Sequence, residues 1–442
     1  VATLGSAFTF DDAAIAAECT PEEAAAAISA SIEAGFIVGE AGGGHTVLEA
    51  SGRYRFAHER IAEVACERFS DAELAAIHAR VGRELSRRGN ERLFEAADHY
   101  ALGASVIVDP AERQSACRLC IEAGEEARRR ASFSLAHRFF QAGVGFVERS
   151  AGLGDKELVD LRFGLVQTAW LTGSSTLNDD LESAWTHTSN PLERARLALL
   201  QIKIDLGRHE ERRALDLGIK TLAELGIPLP RSTSRSRLLL ALARTAKSLR
   251  GRSDNELAAI PVANDEIAAA AAPIIGELMS TSYAVDTDLF PFVVLRGIDL
   301  TLERGRMPVS PVAFAGYGLL LVVLGRNESA IRFSDLALRL AEEPECAEFR
   351  PWTHFLHYNF VHHWHRPIRD VLLPIREAHE QALQFGDMEY AGYLAASELA
   401  ARFNAGEPLD DFDRRASELI ETFPTQAKQI EICEAVRQLA HN

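Results

Sequence analysis

His58 and Glu59 are the residues of this 442-residue sequence whose position best suits contact with a ligand. Before them, Tyr54–Phe56 alternates apolar and charged side chains as a half-buried strand does, and apolar residues then recur at helical spacing from Ile61 to Phe69. This change of period predicts a strand that runs directly into a helix, with His58 at the helix start. Free backbone N–H groups and the positive end of the helix dipole favour an anion there. His58 is therefore either a phosphate contact or a polar cap of its helix, and both interpretations stay open.

A cluster of five histidines invites a metal-binding interpretation, because imidazole is a common zinc ligand. The cluster consists of His354, His357, His362, His363 and His365. On an α-helix these side chains point in several directions, and no carboxylate has the spacing that would complete a site. Packing of aromatic residues against a helix explains the segment better. Cys117 and Cys120 are one helical turn apart, but there is no second cysteine pair, so we expect both in the core and predict no metal site.

The segment 231–252 carries seven basic residues and no acidic residue, with leucines at helical spacing between them. One interpretation is a docking site for an acidic partner or a lipid headgroup. The other is a solvated helix face in a hinge between two helical arrays, which the acidity of the whole chain favours. If the segment does bind a partner, we expect Arg235, Arg237 and Arg244 to make the contacts.

The sequence contains no recognisable catalytic motif. No Gly-Lys dipeptide occurs, so there is no phosphate-binding loop of the type G-x-x-x-x-G-K-[ST]. The H-R-D and D-F-G signatures of protein kinases are also missing from the sequence. We predict no catalytic residue, and we expect this chain neither to hydrolyse ATP nor to phosphorylate protein.

Composition narrows the classes of partner. Lysine and arginine number 47 against 64 acidic residues, a net charge of −17, which argues against general binding of nucleic acid or of an anionic membrane. Six scattered cysteines fit a reducing cytoplasm, and no apolar run is long enough to span a membrane. The sequence starts at Val1 without an initiator methionine or a signal peptide, so we expect a piece of a longer cytoplasmic polypeptide.

The first 52 residues predict two short helices followed by a two-stranded ribbon. Thr20, Pro21 and Glu23 form a capping box with proline at the first helical position, and Gly35 ends that helix. Two short apolar runs, 36–38 and 54–56, flank the glycine-rich turn 42–44 and predict the ribbon. This order is that of a winged helix. Residues 1–52 contain no Lys or Arg, so we do not expect this domain to bind DNA.

From Ser70 onwards the sequence predicts helices only. Ser70 and Glu73 form a second capping box, and turns near Gly173 and Gly207 are 34 residues apart, which is the tetratricopeptide period. We predict a mainly α protein in which a small winged-helix domain precedes an irregular α-solenoid of tetratricopeptide-like hairpins. The predicted divisions are a winged-helix domain at 1–88, a helical array at 89–230, a basic hinge segment at 231–262 and a second array at 263–442.

Seven short segments, in this order along the chain, carry a resemblance to a known family. They are Tyr54–Glu59, Leu93-Phe94, Ala123-Gly124, Leu225–Pro230, Leu257–Pro261, Tyr317-Gly318 and Gly386–Ala391. Together they resemble the C-terminal part of the large signal-transduction ATPases found in multidomain bacterial and fungal protein kinases. In that family an AAA-type ATPase is followed by a winged helix and a long tetratricopeptide-like region. A serine/threonine kinase, GAF or histidine-kinase domain flanks them.

The segment Phe56–Glu59 also resembles the Met-His-Asp motif of related nucleotide-switch proteins, whose histidine contacts the phosphate of the bound nucleotide. The resemblance implies the same contact for His58, with Glu59 in place of the aspartate. It implies that ATP or ADP binds an upstream nucleotide-binding domain of the parent protein, and that this chain holds no cofactor of its own.

The resemblance implies a non-catalytic regulatory and sensing arm, with a protein partner or a small effector on its helical array. The alternative is the sensor region of an ATP-dependent transcription activator similar to the maltose regulators. Such a region binds a small inducer, and its DNA-binding domain lies outside this sequence. What flanks the region discriminates between the two: kinase or GAF sequence in one case, a basic helix-turn-helix in the other.

Overall fold

The structure is a computed structural model that describes residues 8–39, 53–148, 155–230, 233–384, 386–423 and 428–441. The chain divides into two compact units, Val1–Ser189 and Asn190–Asn442. Nearly all regular structure in the described residues is helical, which confirms the predicted mainly α fold. None of the described helices is both long enough and apolar enough to span a membrane.

The first unit has nine α-helices and two strands in its described residues. They are α1 (Phe10–Ala17), α2 (Pro21–Glu33), β1 (Ile37–Gly39), β2 (Tyr54–Phe56), α3 (Glu59–Cys66), α4 (Asp71–Arg87), α5 (Leu93–Gly103), α6 (Pro110–Arg129), α7 (Phe133–Glu148), α8 (Asp155–Thr172) and α9 (Leu177–His187). From α4 to α9, helices that are consecutive in sequence pack against each other.

Helix starts follow the capping chemistry of the sequence. The capping boxes predicted at Thr20 and Ser70 are both present, and Gly35 follows α2 with a φ of +75°. A third box, in which Thr9 caps α1 with Asp12, was not among the predictions. Asp12 is buried and pairs with Arg92, at the start of α5.

The two strands form an antiparallel pair in which Ile37 lies opposite Phe56 and Gly39 opposite Tyr54. Tyr54 also pairs with Phe8, and its buried ring packs against Phe10 with ring centroids 4.8 Å apart. The observed order of helix, helix and strand pair agrees with the predicted order. The glycine-rich turn 42–44 lies outside the described residues, and the winged-helix assignment stays a prediction.

Small residues allow the hairpins of the first unit to pack closely. A Cβ atom added at Gly124 on α6 would lie 2.5 Å from the Phe140 ring on α7, so only glycine fits there without a shift of that ring. Cys117 and Cys120 are fully buried in the same core, as predicted. A small residue on one helix thus faces a bulky residue on the next, as close packing of helices requires.

The second unit has thirteen α-helices in its described residues. They are α10 (Pro191–Gly207), α11 (Glu211–Glu224), α12 (Arg235–Leu249), α13 (Asp254–Ala258), α14 (Glu266–Val285), α15 (Phe290–Arg304), α16 (Ser310–Val323), α17 (Asn327–Ala341), α18 (Arg350–Leu356), α19 (Leu372–Gln384), α20 (Met388–Asn404), α21 (Leu409–Glu421) and α22 (Lys428–His441). A π-helical turn, His357–Val361, follows α18 directly.

Two hydrophobic cores hold the second unit together. The larger runs from Ala195 to Val361 and includes the fully buried Phe314, and the smaller lies around Phe412 between α19 and α22. A short parallel bridge between Val262 and Arg306 is an exception to the expectation of helices only. The boundary between the compact units, at 189/190, falls inside the array predicted for 89–230, and the predicted divisions at 88, 230 and 262 stay predictions.

Candidate functional site

His58 lies where the sequence predicts it, between the end of β2 and the start of α3. It is the N-cap residue of α3, with φ −147° and ψ 139°, and its Nδ1 accepts a hydrogen bond of 3.2 Å from the backbone N–H of Arg60. The side chain is exposed, and no residue that the structure describes forms a hydrogen bond with its Nε2. The cap is therefore shown, whereas a contact between Nε2 and phosphate stays a prediction.

Helix α3 is amphipathic, yet none of its residues is buried. Val64 on α3 is 46% exposed, and Phe69 just beyond the helix is 47% exposed. Phe36 is 53% exposed, and its carbonyl accepts the N–H of Ala57, which places it beside His58. We call Phe36, Val64 and Phe69 the α3 face. An uncovered apolar face of this kind is a common mark of a protein contact.

The predicted basic segment contains α12, which Ser234 caps. Thr245 and Leu249 are the buried residues of α12, and it packs on α15. The Thr245 hydroxyl donates a hydrogen bond of 3.0 Å to the buried Asp299 of α15, and the Arg244 guanidinium lies 3.2 Å from the same carboxylate. Arg244, one of the three predicted partner contacts, thus has a partner inside the chain.

The opposite side of α12 faces solvent. Arg235 and Arg237 are exposed, as are Lys247, Leu239 (64%) and Leu240 (71%). The sequence predicted the basic character of this helix, but it did not show that two of its leucines stay outside the core. Arg231, the first residue of the predicted segment, lies outside the described residues.

The histidine cluster departs from the predicted geometry. Helix α18 ends at Leu356, and the π-helical turn that follows widens the spiral, so that residues five apart come to the same side. As a result the Nδ1 of His362 lies 3.4 Å from the Nε2 of His357, whose Nδ1 lies 2.9 Å from the Ser334 hydroxyl. The α-helical period that the sequence analysis assumed does not hold between His357 and His362, so these two side chains lie together.

Burial lowers the pKa of His354, His357 and His362 and so favours their neutral form. It lowers the pKa of His357 to about 3, together with the nearby charges of His362 and Arg366, and it lowers the pKa of His354 to about 4. The Nε2 of His362 and the Nδ1 of His354 are buried and form no hydrogen bond with any residue that the structure describes. Arg366 pairs with the neighbouring Asp335. Across the described ranges, no group of three or more His, Cys, Asp or Glu residues could hold a metal ion.

A surface cavity of about 710 Å³ lies at the starts of α10 and α14. Its lining includes Glu224 and Asp265, whose carboxylates pair with Arg194 and Arg304. The volume falls within the range of small-molecule sites. Glu266 is a third acidic residue of the lining, and this set of side chains points to no particular effector.

Comparison with known proteins finds a distant relative among the curated proteins and similar chains among the solved structures. No protein-family model matches the chain. The chain is similar to "Hybrid signal transduction histidine kinase G" from Dictyostelium discoideum, with 20% identity over 417 residues, covering 81% of this chain and 12% of the relative. This chain therefore spans only a small part of that protein's length.

Among solved structures, the chain is similar to a signal transduction ATPase with numerous domains that has a tetratricopeptide repeat sensor, from Pyrococcus horikoshii. The identity is 11%, the alignment covers 99% of this chain and 64% of the other, and the TM-score is 0.39. At this TM-score the similarity assigns neither a family nor a function to this chain.

Proposed function

We propose that this chain is the non-catalytic regulatory and sensing arm of a multidomain signalling ATPase or protein kinase. The arm couples the binding of a protein partner or small effector on its helical array to a nucleotide switch in an upstream domain. The observation that carries the proposal is the joint at His58, where an exposed imidazole begins a helix whose apolar face is uncovered. The weak similarity to a hybrid histidine kinase supports the same class of protein.

At this joint, His58 has two nitrogens with separate tasks. Nδ1 accepts the N–H of Arg60, which fixes the ring relative to α3. Nε2 is then directed away from the helix start and would donate to the β-phosphate of a diphosphate bound in the parent protein. The nucleotide, ATP or ADP, belongs to that upstream domain.

The α3 face would receive the nucleotide-binding domain itself. Phe36 precedes β1 and its carbonyl accepts the N–H of Ala57, the neighbour of His58, so a domain that covers Phe36, Val64 and Phe69 would also approach the imidazole. Burying these three side chains would stabilise the contact by several kcal/mol at about 25 cal/mol per Å² of apolar surface. A shift of the helical array would thus move α3 and change the contact between His58 and the nucleotide.

The reading frame around this chain tests the proposal. An upstream G-x-x-x-x-G-K loop together with kinase, GAF or histidine-kinase sequence would support it. An upstream loop with a basic helix-turn-helix would support the maltose-regulator-like activator instead. A frame with neither a phosphate-binding loop nor an output domain would overturn the proposed function.

A further inference from the structure

We propose that the outer side of α12 is a docking surface for an acidic amphipathic helix of a partner protein. The contact would use Leu239 and Leu240 as apolar anchors and Arg235 and Lys247 as charge partners. This inference rests on the proposed role of the helical array as a partner-binding surface, and it identifies the kind of partner.

The inner side of α12 is already occupied, so the helix is held in place. Leu249 is 3% exposed and joins the larger core, and Thr245 is fully buried against Asp299. Arg244 closes over the same carboxylate from the edge of the helix. The leucines on the other side therefore cannot be buried by a rotation of α12 that keeps these contacts.

The outer side has the shape that a single helix requires. Leu239, Ala243 and Ala246 are all exposed and follow one another at i, i+4 and i+7 along one stripe. Leu240 lies beside this stripe. The two alanines allow the backbone of a second helix to approach closely, and the leucines on either side of Ala243 provide ridges against which its side chains can pack.

The charge of α12 is opposite to that of the chain around it. Residues 231–252 contribute +7 to a net charge of −17, so the rest of the chain carries −24. Arg235 and Lys247 form no ion pair with any residue that the structure describes. A ligand with carboxylates on both sides of an apolar stripe would complement both the leucines and these cations.

The same charge distribution favours a helix over a membrane. A bilayer is extended, so an anionic surface in contact with α12 would also meet the strongly acidic remainder of the chain and be repelled by it. A single helix covers only the basic patch. The apolar stripe covers only one side of a helix of 15 residues. This narrow width also favours a single helix over a membrane as the partner.

A direct binding experiment tests this inference. The probe is a synthetic amphipathic helix with a leucine stripe flanked by glutamates, titrated into the 442-residue chain at low salt. A second peptide carries glutamine in place of each glutamate. We expect only the acidic peptide to bind well, and its affinity to fall as salt screens the charges.

Substitutions in the chain locate the contact. Leu239→Asn with Leu240→Asn should weaken peptide binding about tenfold or more, since each anchor loses its apolar contact. Arg235→Glu with Lys247→Glu should weaken it at low salt and much less at high salt. The control is Leu373→Asn, which changes a leucine of equal exposure, 64%, elsewhere in the same unit and should leave the affinity unchanged.

Three results would overturn the proposal. One is equal affinity for the acidic and glutamine peptides, or for the native chain and the Leu239/Leu240 variant. Another is α12-dependent binding to phosphatidylserine vesicles without binding to the peptide, which would make α12 a membrane contact. The last is self-association of the native chain that the leucine substitutions abolish, which would show a second copy on this surface. None of these results bears on nucleotide binding in the parent protein, so the two proposals fail separately.

Discussion

The Arg244 guanidinium and the Asp299 carboxylate lie 3.2 Å apart and join α12 to α15. Asp299 is nearly buried and also accepts the hydroxyl of Thr245, whereas Arg244 is 70% exposed. The two partners of this carboxylate thus differ in burial. The buried hydrogen bond between Thr245 and Asp299 holds α12 in place. The exposed Arg244 partly neutralises the charge of the Asp299 carboxylate.

The first prediction follows from that difference. Thr245→Val should lower the free energy of unfolding by about 1–3 kcal/mol, because it leaves an oxygen of the buried Asp299 without its donor. Arg244→Ala should cost less than about 1 kcal/mol, because the lost ion pair is largely solvated. Urea unfolding of both variants measures the two costs. A larger loss for Arg244→Ala than for Thr245→Val would contradict this account of α12.

The second prediction concerns acid stability at the π-helical turn. The pKa of His357 is about 3 in the folded chain against 6.5 for an ordinary histidine, because the ring is buried and lies near His362 and the Arg366 guanidinium. As the pH falls below 6.5 the unfolded chain therefore takes up this proton first, and stability is lost progressively towards pH 3. The loss is about 1.4 kcal/mol per pH unit for one such histidine.

Urea unfolding between pH 7.5 and 4.5 measures this slope. His357→Asn keeps a polar group near Ser334 but removes the titrating ring, so it should lower stability at neutral pH and flatten the dependence on pH. The exposed His365, changed to Asn, is the control and should leave the slope as it is. An unchanged slope in His357→Asn would show that the acid sensitivity has another source.

The third prediction is that residues 1–90 do not bind duplex DNA. In a winged helix α2 would be the reading helix, but it carries Glu22, Glu23 and Glu33 and no basic residue. It therefore has nothing to neutralise phosphates. A mobility-shift titration of the whole chain with random duplex at low salt is expected to show no complex. Salt-sensitive retention of the duplex that persists after Arg235→Glu with Lys247→Glu would refute the prediction, because those substitutions remove the basic character of α12 as an alternative source of binding.

The fourth prediction concerns the α3 face. Val64→Asn and Phe69→Asn should change the free energy of unfolding of the chain by less than about 0.5 kcal/mol, because both side chains are exposed. In the parent protein the same substitutions should speed nucleotide release, because they weaken the domain contact. Ile28→Asn, in the core of the same unit, is the matched control for folding and should destabilise the chain. Nucleotide release at the native rate in both variants would leave the α3 face without its proposed occupant.

Sequence reasoning located features that depend on local chemistry. The capping box at Thr20 and the helix start at His58 are set by residues within one turn of each other, so the sequence alone indicates them. Contacts between distant residues carry no such signal. The pairing of Asp12 with Arg92 and of Arg244 with Asp299 was missed because nothing near either residue marks its partner.

Departures from regular helical geometry could not be predicted from the sequence either. An α-helical period separates His357 from His362, and only the π-helical turn between them brings the rings together. Leucines recur at helical spacing along α12, but nothing in that pattern separates those that face the core from those that face solvent. Which leucines remain exposed depends on how α15 packs against α12, and that becomes visible only in the structure.

The most direct test of the coupling proposed for His58 is the diphosphate affinity of the parent protein after His58→Ala and His58→Asn. Asparagine keeps a good N-cap but removes Nε2, so it separates the cap from the phosphate contact. If His58 contacts the β-phosphate, both substitutions should weaken diphosphate binding by about 1–3 kcal/mol, roughly five- to a hundred-fold. Only His58→Ala should also lower the melting temperature of this chain. Native diphosphate affinity in both variants would contradict the account and leave His58 as a helix cap alone.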